Sequence, residues 1–232
     1  MAPTLVASYF LQSPIAGNSA TLVTSSFTPA DGEVIVVKAQ TWDTGTAAGT
    51  PSGGSLTYTS RVVIAGGGFS TYGRIHTTTV GTSPGSMAVT LSAPAASSYH
   101  SMTVERWSGA QIAASPATHS ALNAGASAPL DTITTVGTNS VVSWLNGDAQ
   151  SVNPATAAYR SSATNDGLAD GSSGTDGVMY YAYQTAAVAG SQTYGMTLPA
   201  TQKWAMAAIE IQAAVTATVP KGAFLPFLMG EM

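Results

Sequence analysis

The chain alternates short β-type runs with turn clusters. EVIVVKAQTW (33–42) is apolar and β-branched at successive positions, the pattern of a central strand covered on both faces. It lies between the turns PADG and WDTG. SLTYTSRVVI (55–64), RIHTTTV (74–80), SMAVTL (86–91) and YHSMTVERW (99–107) read as further strands, bounded by Gly, Pro or Ser. LDTITTV (130–136), NSVVSWL (139–145), VMYYAYQT (178–185) and SQTYGMTL (191–198) continue the series. KWAMAAIEIQAA (203–214) fits a helical face through Trp204, Ala207, Ala208 and Ile211, and fits strand alternation, with Trp204, Met206 and Ala208 against Ile209 and Ile211, less cleanly. The turn at Pro199 and the β character of its neighbours decide for a strand. Residues 109–129 carry no clear pattern, and NDGLADGSSGTDG (165–177) reads as a polar loop. Val34, Val36, Trp42, Val104, Val142, Trp144, Trp204, Ile209 and Ile211 are the expected core.

About a dozen short strands at this spacing predict an all-β fold, an antiparallel β-sandwich of jelly-roll type. Two stretches recur roughly a hundred residues apart, too far for a solenoid unit. VIVVKAQTWDTG (34–45) is echoed by SVVSWLNGD (140–148). VTLSAPAASSYHSMTVERW (89–107) is echoed by MTLPATQKWAMAAIEI (196–211), which sets Glu105 beside Glu210. These echoes predict two pseudo-repeated halves, unless they only reflect the reuse of Val, Thr and Trp by β-sheets. The expected division is an N-terminal strand or arm over 1–17, the sandwich over 18–214, and an apolar tail over 215–232.

Composition narrows the function. Only 8% of the 232 residues are charged, against a usual quarter, and hydroxyl-bearing and small residues take their place. The net charge is −4, and Lys38, Lys203 and Lys221 are the only lysines. No basic patch exists to neutralise phosphates, which argues against nucleic-acid binding. The chain has no cysteine, hence no disulfide, thiolate metal site or thiol nucleophile. No apolar run reaches membrane-spanning length, and MAPTLVASYFLQSP lacks the basic and apolar regions of a signal peptide. A protein made in the cytoplasm, without a membrane partner, is expected.

Candidate chemistry is sparse. GTSPG (81–85) matches G-x-S-x-G, but the residue after the serine must lend its N–H to an oxyanion, and Pro84 has none. His76 and His100 fall in strands and His119 in the loop expected over 109–129, at no metal-ligand spacing. Asn165, Asp166, Asp170 and Asp176 miss the calcium-loop pattern and fit turns. Glu105 and Glu210 form a glycosidase-like pair only if the halves align them, and pairing with Arg106, Arg61 or Lys203 explains them better. Trp42, Trp107, Trp144 and Trp204 suit packing better than a sugar platform. No catalytic residue, cofactor or metal ligand is expected. The tail stands apart: Phe224, Leu225, Phe227, Leu228 and Met229 crowd around Pro226 and form the expected partner-binding segment.

FTPADGEVIVVKAQTWDTG with TPSGGSLTYT, YHSMTVERWSGA, VVSWLNGD and AGSQTYGMTLPATQKWAMAAIEIQAA together resemble a β-sandwich domain of virion structural proteins. Such domains occur in tailed bacteriophages, especially those of actinobacteria, and in some secreted bacterial proteins. The resemblance covers about residues 18–214 and rests on turns and strands. It implies a non-enzymatic protein of the head or tail surface, a capsid decoration, minor capsid or minor tail protein. Such a protein is assembled in the host cytoplasm and binds other virion proteins and copies of itself. It assigns no functional residue. The alternative is a carbohydrate-binding module for host cell-wall glycans, which an exposed aromatic row would favour.

Overall fold

The computed structural model describes residues 1–13, 21–42, 48–64, 71–92, 99–148, 156–170 and 177–215. Strand β3 (Val34–Trp42) is buried at every position. It pairs antiparallel with β5 (Thr71–Thr79) and β7 (His100–Ser108) on its two sides. β1 (Thr4–Gln12) adds to β7 and β4 (Thr59–Ile64) to β5, giving the order β1-β7-β3-β5-β4. Residues along β3 alternate between two cores. Val34, Val36 and Trp42 face a second sheet, while Ile35, Val37 and Ala39 face an outer layer. Two covered faces are why this stretch shows no polar alternation.

The second sheet repeats the plan. β11 (Ser140–Asp148) is central, between β14 (Val178–Ala186) and β16 (Gln202–Ala213). β13 (Thr164–Asp170) borders β14, and β9 (Thr118–Ser127) borders β16. β8 (Ala110–Gln111) extends the end of β16. A layer covers each sheet from outside. Over the first sheet lie β2 (Leu22–Val23) paired with β6 (Thr90–Leu91); over the second lie β10 (Leu130–Thr135), β15 (Gly190–Leu198) and β12 (Ala158–Tyr159). Hydrophobic clusters fill the space between the two sheets and the space under each cover. The chain is an all-β antiparallel sandwich, and the described residues contain no α-helix.

Seven strands of each half match in order, and β8 and β12 stand outside the match. The order β1-β7-β3-β5-β4 with β2-β6 becomes β9-β16-β11-β14-β13 with β10-β15. Setting Met102 on Met206 aligns the ladders: Ala39 opposite Met102 becomes Asn146 opposite Met206. The same alignment superposes two β-bulges, at Ser60/Val62 and at Asn165/Gly167. A bulge is a local irregularity, so its recurrence is an independent sign of duplication. This register corrects the one expected from the echoes. Glu105 corresponds to Ile209, not Glu210, and Trp144 corresponds to Val37, not Trp42.

All the expected core residues are buried. Two expected loops are strands: residues 118–127 form β9, which carries His119, and 164–170 form β13, which carries Asn165, Asp166 and Asp170. β9 lacked a visible pattern because nine of its ten residues are small or polar on an edge with little to bury. Gly147 marks a close approach of the sheets, since a Cβ there would fall 1.9 Å from Thr71 Cγ2. The tail residues Phe224, Leu225, Phe227, Leu228 and Met229, and Asp176, lie outside the described residues.

Candidate functional site

The most unusual chemistry lies between the two sheets. β3 alternation turns Lys38 inward along with Val34 and Val36, and its side chain is 0% exposed. Its ammonium pairs with Glu105 of β7, also 0% exposed, across one diagonal of the β3–β7 ladder. From the other sheet, the bulge in β13 brings in Asp166, whose Oδ2 lies 3.1 Å from Lys38 Nζ. The ammonium also donates to the Ala182 carbonyl at 3.2 Å. Glu105 is held firmly: Ser143 Oγ reaches its two oxygens at 3.0 and 2.8 Å, and Trp107 Nε1 donates to Oε2 at 2.9 Å. The Tyr181 ring lies 5.9 Å from the ammonium. Asp166, with its side chain 2% exposed, is held in the cluster by this ion pair and by its closeness to Glu105.

The cluster holds one cation against two carboxylates. Burial pushes the Glu105 carboxyl up to about 7; the neighbouring Lys38 opposes the shift and Asp166 adds to it. Burial works to lower Lys38, yet the attraction of Glu105 and Asp166 outweighs it and holds the ammonium above its ordinary value. Lys38 and Glu105 therefore set each other's protonation. The cluster was only partly legible. The sequence pointed Glu105 to Arg106, Arg61 or Lys203 and Asp166 to a turn, and did not single out Lys38. The one local signal was a lysine inside an apolar strand, VIVVKAQTW.

The other candidates separate. Glu210 faces the outer cover, where its carboxylate accepts the N–H groups of Val136 (3.1 and 3.2 Å) and Gly137 (2.8 Å), fixing the turn that leads into β11. Arg106, at the equivalent position, binds Glu33 just before β3 through Nε at 2.9 Å. Glu105 and Glu210 therefore point to opposite faces of the sheets, and the arginine and lysine partners expected for them are replaced by Lys38 and by backbone amides. His119 Nδ1 lies 2.7 Å from Asp131 Oδ2, which also accepts the Tyr194 hydroxyl at 2.5 Å. GTSPG borders a concavity of about 410 Å³ with Gly54, Ser55 and Leu56, and no titratable side chain lines it. Ser83 there has φ +55° and donates its N–H to Asp31 at 2.9 Å, as a turn does. Among the described residues no three His, Asp or Glu gather as a metal site. Trp42, Trp107, Trp144 and Trp204 are all buried.

His76 gives a pH prediction. It lies fully buried, and neither ring nitrogen has a hydrogen-bond partner among the described residues. Burial first, and Arg74 second, push its pKa from 6.5 down to about 4. The unfolded chain thus takes a proton that the folded chain refuses. Stability should fall as pH drops from about 6.5 to about 4, by about 3 kcal/mol at most. Urea midpoints of the protein and of His76→Leu across this range check it; equal slopes would contradict it.

Comparison of the chain with known protein families, with curated proteins and with solved structures returned no match.

Proposed function

We propose that the protein is a non-enzymatic structural subunit that works by packing against other proteins and copies of itself, on the head or tail surface of a tailed-phage virion. One observation carries the packing role. The border strands β1 (TLVASYFLQ) and β9 (THSALNAGAS) hold no Lys, Arg, Asp, Glu or Pro. Each pairs on one side only among the described residues. Val6, Phe10 and Leu122 expose apolar side chains there. Strand borders are normally protected by charge or proline, because their free N–H and C=O groups accept another chain. Unprotected borders on a weakly charged molecule fit a protein that keeps neighbours. The virion setting rests on the resemblance of residues 18–214. Each half, with β1-β7-β3-β5 in one layer and β2-β6 in the other, is read here as a shortened jelly roll, a fold that suits this role.

The buried tryptophans support a subunit over a glycan-binding module, which needs aromatic faces in water. In this reading Phe224, Leu225, Phe227, Leu228 and Met229 anchor the subunit to a neighbour. The test compares the full chain, a chain lacking residues 222–232, and a Val6→Lys/Leu122→Lys variant for folding and for loading onto purified particles. The full chain should load, the truncated chain should fold normally and load poorly, and the charged variant should associate less. A full chain that stays monomeric and never joins a particle overturns the reading.

A further inference from the structure

We propose that Lys38 and Asp166 become joined covalently, by an amide between Lys38 Nζ and Asp166 Cγ, with Glu105 carrying the protons. The geometry places the reacting groups in contact. The nitrogen lies 3.1 Å from Asp166 Oδ2, one bond from the carbon to be attacked. Glu105 pairs with the same nitrogen and is oriented by Ser143 and Trp107. The side chains of all three reacting groups are 0–2% exposed, so water neither competes as nucleophile nor reverses the step freely. Holding the two reactants in contact removes most of the entropic cost of bringing them together.

The steps balance. Glu105 takes one proton from the Lys38 ammonium and passes it to Asp166, leaving a neutral amine beside a neutral acid. The raised pKa of Glu105 suits it to this exchange. The amine lone pair attacks Asp166 Cγ. Glu105 then takes a second proton from the nitrogen and delivers it to the departing hydroxyl. One C–N bond forms, one C–O bond breaks, one water leaves, and Glu105 ends as the carboxylate it began as. No oxidant, cofactor or energy source is needed. The gain comes from the starting state: a desolvated ammonium and a desolvated carboxylate give way to a neutral amide.

The bond would tie the central strand β3 of one sheet to the border strand β13 of the other. It does not depend on the virion reading, since mass and loading are separate measurements. The test is the intact mass of the full chain, purified folded, incubated, then denatured. The expected mass is one water below that of the sequence. Proteolysis should then yield a branched fragment uniting the peptides that contain Lys38 and Asp166. Asp166–Gly167 offers a rival loss of one water, by cyclisation onto its own backbone, but that product joins no two peptides and needs no lysine. Lys38→Met should therefore restore the full mass, as should Glu105→Gln. A wild-type chain that stays at full mass overturns the proposal. So does a water loss that survives Lys38→Met, and so does Glu105→Gln linking as fast as wild type. The wild-type result decides the matter even if a variant fails to fold.

Discussion

Lys38→Met should lower the stability of the fold by about 3–5 kcal/mol, because it strips the one cation that the described residues place between two buried carboxylates. An intact buried ion cluster contributes little net stability, since desolvation offsets attraction. An incomplete one is costly, because the remaining charges have neither water nor partner. The sign of the pH effect follows. Without Lys38, burial and the Asp166 charge hold the Glu105 carboxyl above its unfolded value, so the penalty is small at acid pH and grows as pH rises through the raised value. The variant should lie closer to wild type at pH 5 than at pH 8 in urea titrations. Replacing all three residues by neutral ones of similar size should recover much of the loss. If the Lys38–Asp166 amide has formed, wild type gains further, since a cross-link closing a loop of more than a hundred residues contributes about 5 kcal/mol in the chain-entropy account. A Lys38→Met protein as stable as wild type at pH 8 would show that the cluster is not closed to water.

Trp144→Ala should cost a similar amount, about 3–5 kcal/mol. Trp144 is fully buried under the outer cover of the second sheet, with Tyr159 at 5.9 Å and Tyr194 at 6.1 Å between ring centroids. Its truncation would leave a cavity that two rigid β layers cannot collapse to fill. The indole N–H has no hydrogen-bond partner among the described residues, so the loss is one of packing alone. Trp144→Phe should thus retain most of the stability, in a direct comparison of urea midpoints. Equal losses for Phe and Ala would mean that the N–H does have a partner.

These two sites differ in how far the sequence revealed them. Trp144 lay in NSVVSWL, where local pattern and burial agree, and the same holds for β3; β16 had a helix-like local pattern and was legible only from its β neighbours. Lys38, Glu105 and Asp166 belong to three strands separated by long stretches of chain, and only the stacking of the sheets unites them. No local pattern encodes such a meeting. Asp166 was further disguised, since Asn-Asp-Gly has turn chemistry and here supplies a bulge: the Gly167 N–H bonds Asn165 Oδ1 at 3.1 Å while Asp166 turns inward. β9 escaped because a border strand of small polar residues has no buried face to mark it. The duplication was visible in outline, but its register needed the ladders.

The duplicated plan also makes the molecule mechanically lopsided. Under the alignment of the halves, the partners of Lys38, Glu105 and Asp166 are Leu145, Ile209 and Arg61. The clamp therefore exists once, at the flank where β1 lies along β13 and Phe10 meets Tyr181. At the opposite flank, where β4 lies along β9, Arg61 reaches only Thr77 of its own sheet at 2.8 Å and the Ala114 carbonyl at 3.4 Å. A force prying the sheets apart would meet a latch on one side and ordinary packing on the other. Under load the sandwich should open like a book, with its spine at β13 and its free pages at β4 and β9.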